Sequence, residues 1–141
     1  MRELLLSAKG VSVSFLSPRG TTEALKGVDM DVPTGGCVAV VGESGSGKTT
    51  LLRACLGLVP MFEGSVTLFD RDLSFCGSKE LVTLRRRCGY VPQDPFGCVP
   101  PTLNTLDAAA EPVRITGKGY REQALEKARE LLAELGLEDR K

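Results

Sequence analysis

The chain has 141 residues, 18 Lys+Arg against 18 Asp+Glu, and no histidine, so its formal net charge is zero. That balance gives no electrostatic reason to expect a nucleic-acid or anionic-lipid partner. The missing imidazole excludes Ser-His and Cys-His dyads and histidine metal ligands from this sequence.

At 42% hydrophobic and 26% charged residues the composition is globular rather than disordered, and the length suits one domain that buries about two-thirds of its unfolded surface. The start, MRELLLSAKG, carries three consecutive leucines, too few for the apolar region of a signal peptide. The longest unbroken apolar run is five residues, Cys37 to Val41, so no bilayer-spanning segment is expected. Five cysteines without a CxxC pair, three of them (Cys37, Cys55, Cys88) inside apolar segments, predict buried free thiols in a reducing cytosol.

In chain order, Val11, Val13 and Phe15 alternate with serines and predict a half-buried strand. The turn Ser17-Pro18-Arg19-Gly20 follows, then a second alternating strand through Val28, Met30 and Val32, closed by Pro33-Thr34-Gly35-Gly36. Cys37 to Val41 is apolar without alternation, the pattern of a central strand covered on both faces. A glycine-rich turn leads into a helix over about 48–56 that stops at Gly57. Ser65 to Phe69 predicts a short strand, Ser78-Lys79-Glu80 opens a helix ending in the solvated run Arg85-Arg86-Arg87, and Cys88 to Val91 predicts another buried strand. Loop chemistry occupies 93–102. Asn104 or Thr105 caps a helix expected to stop before Pro112. Ala124, Leu125, Ala128, Leu131, Leu132 and Leu135 form one apolar stripe, with Gly136 as its stop.

The chemistry sits at Gly42-Glu43-Ser44-Gly45-Ser46-Gly47-Lys48-Thr49, which satisfies G-x-x-x-x-G-K-[ST] between an apolar strand and a helix. Glycines let successive N–H groups turn inward onto phosphate oxygens, and the helix start adds its positive end. Lys48 supplies a full charge for the β- and γ-phosphates, and the Thr49 hydroxyl is a magnesium ligand. The expected ligand is a nucleoside triphosphate.

Leu25-Lys26-Gly27-Val28, the 33–36 turn, GESGSGKTTLLR, Gly64-Ser65-Val66 and LRRRCGYVPQDP together resemble the nucleotide-binding subunit of an ABC transporter. GESGSGKT followed by QDPFG and AEPVRI is similar to the oligopeptide, dipeptide and nickel importer ATPases within it. The resemblance implies an α/β P-loop NTPase fold of the ABC type. Residues 1–98 would form the N-terminal antiparallel strands and an incomplete RecA-like core, and 99–141 the start of the α-helical subdomain. It implies ATP and Mg²⁺ as cofactors, with Gly42, Glu43, Ser44, Gly45, Ser46, Gly47, Lys48, Thr49 and Thr50 as the Walker A nucleotide site. Phe15 matches the aromatic that stacks on adenine. Gln93 matches the Q-loop glutamine, near Mg²⁺ with Thr49 and catalytic with Lys48. It further implies transmembrane permeases and a second ATPase subunit as partners, and a cytoplasmic location on the inner face of the membrane.

Asp70, which ends Val66-Thr67-Leu68-Phe69-Asp70 like a Walker B acid, falls where the family has a turn and is expected to bind no metal. After QDPFG, Val99-Pro100-Pro101-Thr102 replaces the polar Asn-Pro-Arg stretch usual in the subfamily, so any contact of that arginine is lost. No LSGGQ signature, Walker B Asp-Glu, D-loop or switch histidine occurs in these residues. The expectation is therefore weak ATP binding and near-background hydrolysis by the chain alone, as a truncated, non-hydrolysing module. A soluble ABC protein of repair or translation is disfavoured by QDPFG and AEPVRI. A P-loop kinase is disfavoured by Phe15, the N-terminal strand pair and YVPQDP, for which it has no place.

Overall fold

Alternation near the N-terminus builds a long antiparallel hairpin, β1 (Leu4–Ser17) and β2 (Gly20–Pro33). The computed structural model describes residues 3–18, 20–94, 97–116 and 121–137. They fall into two compact units, Met1–Arg87 and Cys88–Lys141. In the first, α1 (Lys48–Cys55) follows the hairpin, then β3 (Glu63–Leu68), β4 (Arg71–Asp72), a short 3₁₀ turn over Leu73–Phe75 and α2 (Ser78–Arg85). The sheet order is β2-β1-β3-β4, and all its pairs are antiparallel.

Strand β1 is central, and its buried residues are Leu6, Ala8, Val11 and Val13. Strict alternation would put 11 and 13 on the opposite face from 6 and 8. The register of β1 slips between Ala8 and Val11 against β2, and between Lys9 and Ser12 against β3. Gly10 lies there in the left-handed region at φ 59, its N–H donating to Asp29 Oδ1 at 2.6 Å. This bulge inserts the extra residue that keeps all four side chains facing the core. Ser12 is buried too, and its hydroxyl accepts from the Gly27 N–H at 3.0 Å. Helix α1 lays Leu51, Ala54 and Cys55 against β1, β2 and β3, where Leu25, Val66 and Leu68 complete the core.

Phe69 and Asp70 join β3 to β4 at φ 51 and 60. Positive φ at both central residues of a two-residue hairpin is the type I′ turn, which twists with the strands it joins. Asp70 is thus a turn residue.

In the second unit, α3 (Thr105–Thr116) and α4 (Arg121–Glu134) pack on each other through Ala110, Ala124 and Ala128, flanked by Leu106, Ala109, Val113 and Leu125. Asn104 caps α3, its Oδ1 accepting from the Asp107 N–H at 2.8 Å. Gly136, at φ 67, stops the helix just past the end of α4, as expected. Two members of the expected α4 stripe, Leu131 and Leu135, are exposed.

Four expectations are corrected. Cys37 to Val41 is not a strand, and Val41 is 91% exposed. A strand needs a neighbour for its N–H and C=O groups, and none of the described strands pairs with this segment. Cys88 to Val91 likewise forms no strand, and Val91 lies open. Helix α3 does not stop before Pro112 but runs through it to Thr116. Proline forfeits one helical hydrogen bond. Here its ring is exposed, and packing of Ala109, Ala110 and Val113 on α4 offsets the loss.

The cysteines are the fourth correction. Only Cys55 is buried, while Cys37 and Cys98 are exposed and Cys76 and Cys88 are half-buried. Burial pushes the Cys55 thiol from an ordinary 9.0 up to about 11. At pH 8 a maleimide or Ellman's reagent is therefore expected to label Cys37 and Cys98 at once and Cys55 only on unfolding. Above pH 9 the unfolded chain gives up the Cys55 proton that the folded chain keeps. The Cys55 contribution to stability therefore falls as pH climbs from 9 toward 11.

Candidate functional site

Residues 42–47 form a tight loop leading into α1. The Ser46 N–H donates to the Glu43 carbonyl at 3.2 Å, closing a turn. A Cβ added at Gly42 would stand 2.8 Å from Ser46 Oγ, so the two ends of the curl all but touch. Gly45 and Gly47 hold φ of 82 and 91, the left-handed conformations through which a glycine-rich loop turns its amides inward. The Lys48 ammonium sits inside the curl, donating to the Gly42 carbonyl at 2.8 Å, to the Glu43 carbonyl, and to Ser46 Oγ at 3.3 Å.

Gly47 is the N-cap of α1 and, lacking a side chain, caps nothing. The first intrahelical bond recorded at this end runs from the Leu51 N–H to the Gly47 carbonyl at 2.8 Å. Among the described residues, the amides of Lys48, Thr49 and Thr50 reach no protein acceptor. Three uncommitted donors, the positive end of the helix and an ammonium thus converge on one exposed spot. The Thr49 side chain is exposed in this first turn. Among the described residues, no group of three or more His, Cys, Asp or Glu gathers that could hold a metal.

The loop is held from beneath by a contact no local pattern announces. A Cβ on Gly47 would meet the Ala24 carbonyl oxygen at 2.6 Å and Leu25 Cδ2 at 3.0 Å, so the loop rests directly on β2. The two segments are far apart in sequence, and spacing rules read only near neighbours.

Phe15 lies on β1 opposite Thr22 and is 44% exposed. Ala24, whose carbonyl lies beneath Gly47, follows on β2 two residues after Thr22, where the register with β1 slips. The structure thus gathers Gly42 to Thr50 into one loop and helix start, and places Phe15 on the hairpin, exposed. Gln93 is exposed and belongs to the second unit.

The chain is 34% identical over 133 residues to a Brucella ovis protein described as a peptide import ATP-binding protein, covering 94% of this chain and 42% of that one. It is 36% identical over 118 residues to the oligopeptide transport ATP-binding protein OppD of Mycobacterium bovis, covering 84% and 19%. Against the dipeptide transport ATP-binding protein DppD of Bacillus subtilis the identity is 32% over 143 residues, covering 97% and 43%. Among solved structures it matches the ATP-binding cassette MJ0796, in a dimeric post-hydrolysis state with ADP and Pi, at a TM-score of 0.83 and 28% identity, covering 95% of this chain and 58% of that one. The chain therefore spans less than half the length of these curated relatives. No helix among the described residues is long and apolar enough to cross a membrane. Residues 25–141 match the model of the ABC transporter family, and with the loop geometry and these relatives that places the chain in the ABC transporter family, akin to the ATP-binding subunits of peptide importers.

Proposed function

We propose that this chain binds Mg-ATP as the N-terminal part of the ATPase subunit of a peptide-type ABC importer. The observation that carries this reading is the convergence of the Lys48 ammonium with the unpartnered amides of Lys48, Thr49 and Thr50. A polyphosphate tail laid across that spot would take hydrogen bonds from the amides and charge from Lys48. The Thr49 hydroxyl would hold the magnesium ion; for Gln93 the Q-loop role is the one that kinship with the family implies. Phe15 would stack on adenine, a contact worth about 1–3 kcal/mol. These residues bind and orient, and bound magnesium would neutralise charge between the β- and γ-phosphates.

For the whole protein, a second ATPase subunit, permease partners, ATP-driven peptide import and a station on the inner membrane face follow from kinship with importers. The dimeric state of MJ0796 supports the second subunit. The test is calorimetric titration of the folded chain with Mg-ATP. Saturable binding that weakens when EDTA removes magnesium is expected, and heats no larger than dilution in material shown folded by circular dichroism would end the proposal.

A further inference from the structure

The run Arg85-Arg86-Arg87, expected to be a solvated helix end, is only partly so. Arg86 is exposed, and Arg87 lies over the Phe69 ring, 3.7 Å from its centroid. Arg85 is half-buried, donating from Nε to the Leu56 carbonyl at 2.9 Å and from Nη2 to the Gly57 carbonyl.

Those carbonyls end α1. The Leu58 N–H donates to the Arg53 carbonyl at 2.8 Å and the Gly57 N–H to the Ala54 carbonyl at 2.9 Å. With Gly57 at φ 61, this is a Schellman close. It satisfies carbonyls inside the helix and leaves those of Leu56 and Gly57 pointing onward. The guanidinium fork takes both and sets a positive charge at the negative end of the helix dipole. Leu81 and Leu73 pack at the same place, 3.4 and 3.5 Å from where a Gly57 side chain would stand.

Helix α1 has only 8 residues, about 12 Å from end to end. Its opposite end carries Lys48, Thr49 and the free amides. An element this short tilts as one piece, so whatever holds its C-terminus also aims its N-terminus. We infer that Arg85 is a positioning residue for the nucleotide: by gripping the last carbonyls of α1 it fixes the direction in which the helix presents its phosphate-binding amides. The inference rests on the nucleotide reading above.

The test observes the Arg85 Nε–H and the Lys48 and Thr49 amides by NMR in the ¹⁵N-labelled chain, with Arg85→Lys used to assign the signal. Mg-ATP is expected to slow solvent exchange of the Arg85 Nε–H by about tenfold, as α1 is held at both ends. Arg85→Ala is expected to weaken Mg-ATP binding about fivefold, the scale of one net hydrogen bond, with Arg85→Lys intermediate and Arg86→Ala unchanged. A binding constant unaltered in folded Arg85→Ala overturns the inference. So does an Nε–H that ignores nucleotide while the Lys48 and Thr49 amides respond, and in both cases the nucleotide reading stands. If amides and Nε–H are all silent, the nucleotide reading falls and the inference with it. Should Arg85→Ala fail to fold, the exchange measurement on the unaltered chain decides alone.

Discussion

Lys48→Ala is expected to weaken Mg-ATP binding by about a hundredfold, because a charge-assisted contact to phosphate contributes about 1.5–3 kcal/mol and one ammonium serves two phosphates. The same substitution removes the three donations that hold the loop curled around the ammonium, to the Gly42 and Glu43 carbonyls and Ser46 Oγ. The loop is exposed there, so its loosening costs the fold little. Calorimetry and circular dichroism together separate the effects. The far-ultraviolet spectrum and melting temperature should hold while the binding heat disappears. Retained affinity in Lys48→Ala would mean that the ammonium inside the curl does not meet the phosphates.

Gly64→Ala has the largest expected effect on stability. Gly64 lies near the start of β3 at φ 92, a conformation that side-chain-bearing residues adopt at a cost of about 1–2 kcal/mol. A Cβ there would stand 2.5 Å from the Gly10 carbonyl oxygen, 2.6 Å from the Gly10 carbonyl carbon and 2.6 Å from the Lys9 carbonyl oxygen. All three are main-chain atoms at the bulge of the central strand, so no rotamer change relieves the clash and β3 must pull away from β1. Strain and lost pairing together are expected to cost about 4 kcal/mol, a large part of the 5–15 kcal/mol that holds a domain folded. Thermal melting should fall by about 15 °C. Gly20→Ala is the control, since a Cβ at Gly20 (φ 121) meets nothing within 4 Å and the change adds backbone strain alone. Equal melting of the two variants would show that the approach of Gly64 to Gly10 is not a structural constraint.

The loop at 42–49 was legible because its chemistry is local. Glycines at 42, 45 and 47 and a lysine at 48 need only their own short stretch to curl around a charge, and the structure shows them doing so. The hairpin was legible in part. Alternation from Val11 and through Val32 marks its strands, but β1 begins at Leu4. The bulge at Gly10 breaks the alternation between Ala8 and Val11 and hides that first stretch. Arg85 could not be found from spacing, because a basic residue in the last turn of a helix is ordinary. Only folding of α2 against α1 turns it onto the Leu56 and Gly57 carbonyls.

Cys37 to Val41 separates the two kinds of information most sharply. Five apolar residues before a phosphate loop announce that the segment belongs in an interior. They do not supply the neighbouring strands that would make one, and Val38, Val40 and Val41 stand exposed beside α1. Burial of Cys37 failed for the same reason, whereas Cys55, on a helix face that does have a sheet to rest on, is covered. Residue order was enough for the glycine-rich curl, the turns and the stop of α4 at Gly136, since each is settled within one or two turns of backbone, whereas the end of α3 past Pro112 was not. Strand pairing, core membership and the Arg85 clamp needed the fold, since each depends on a partner that chain collapse delivers from many residues away.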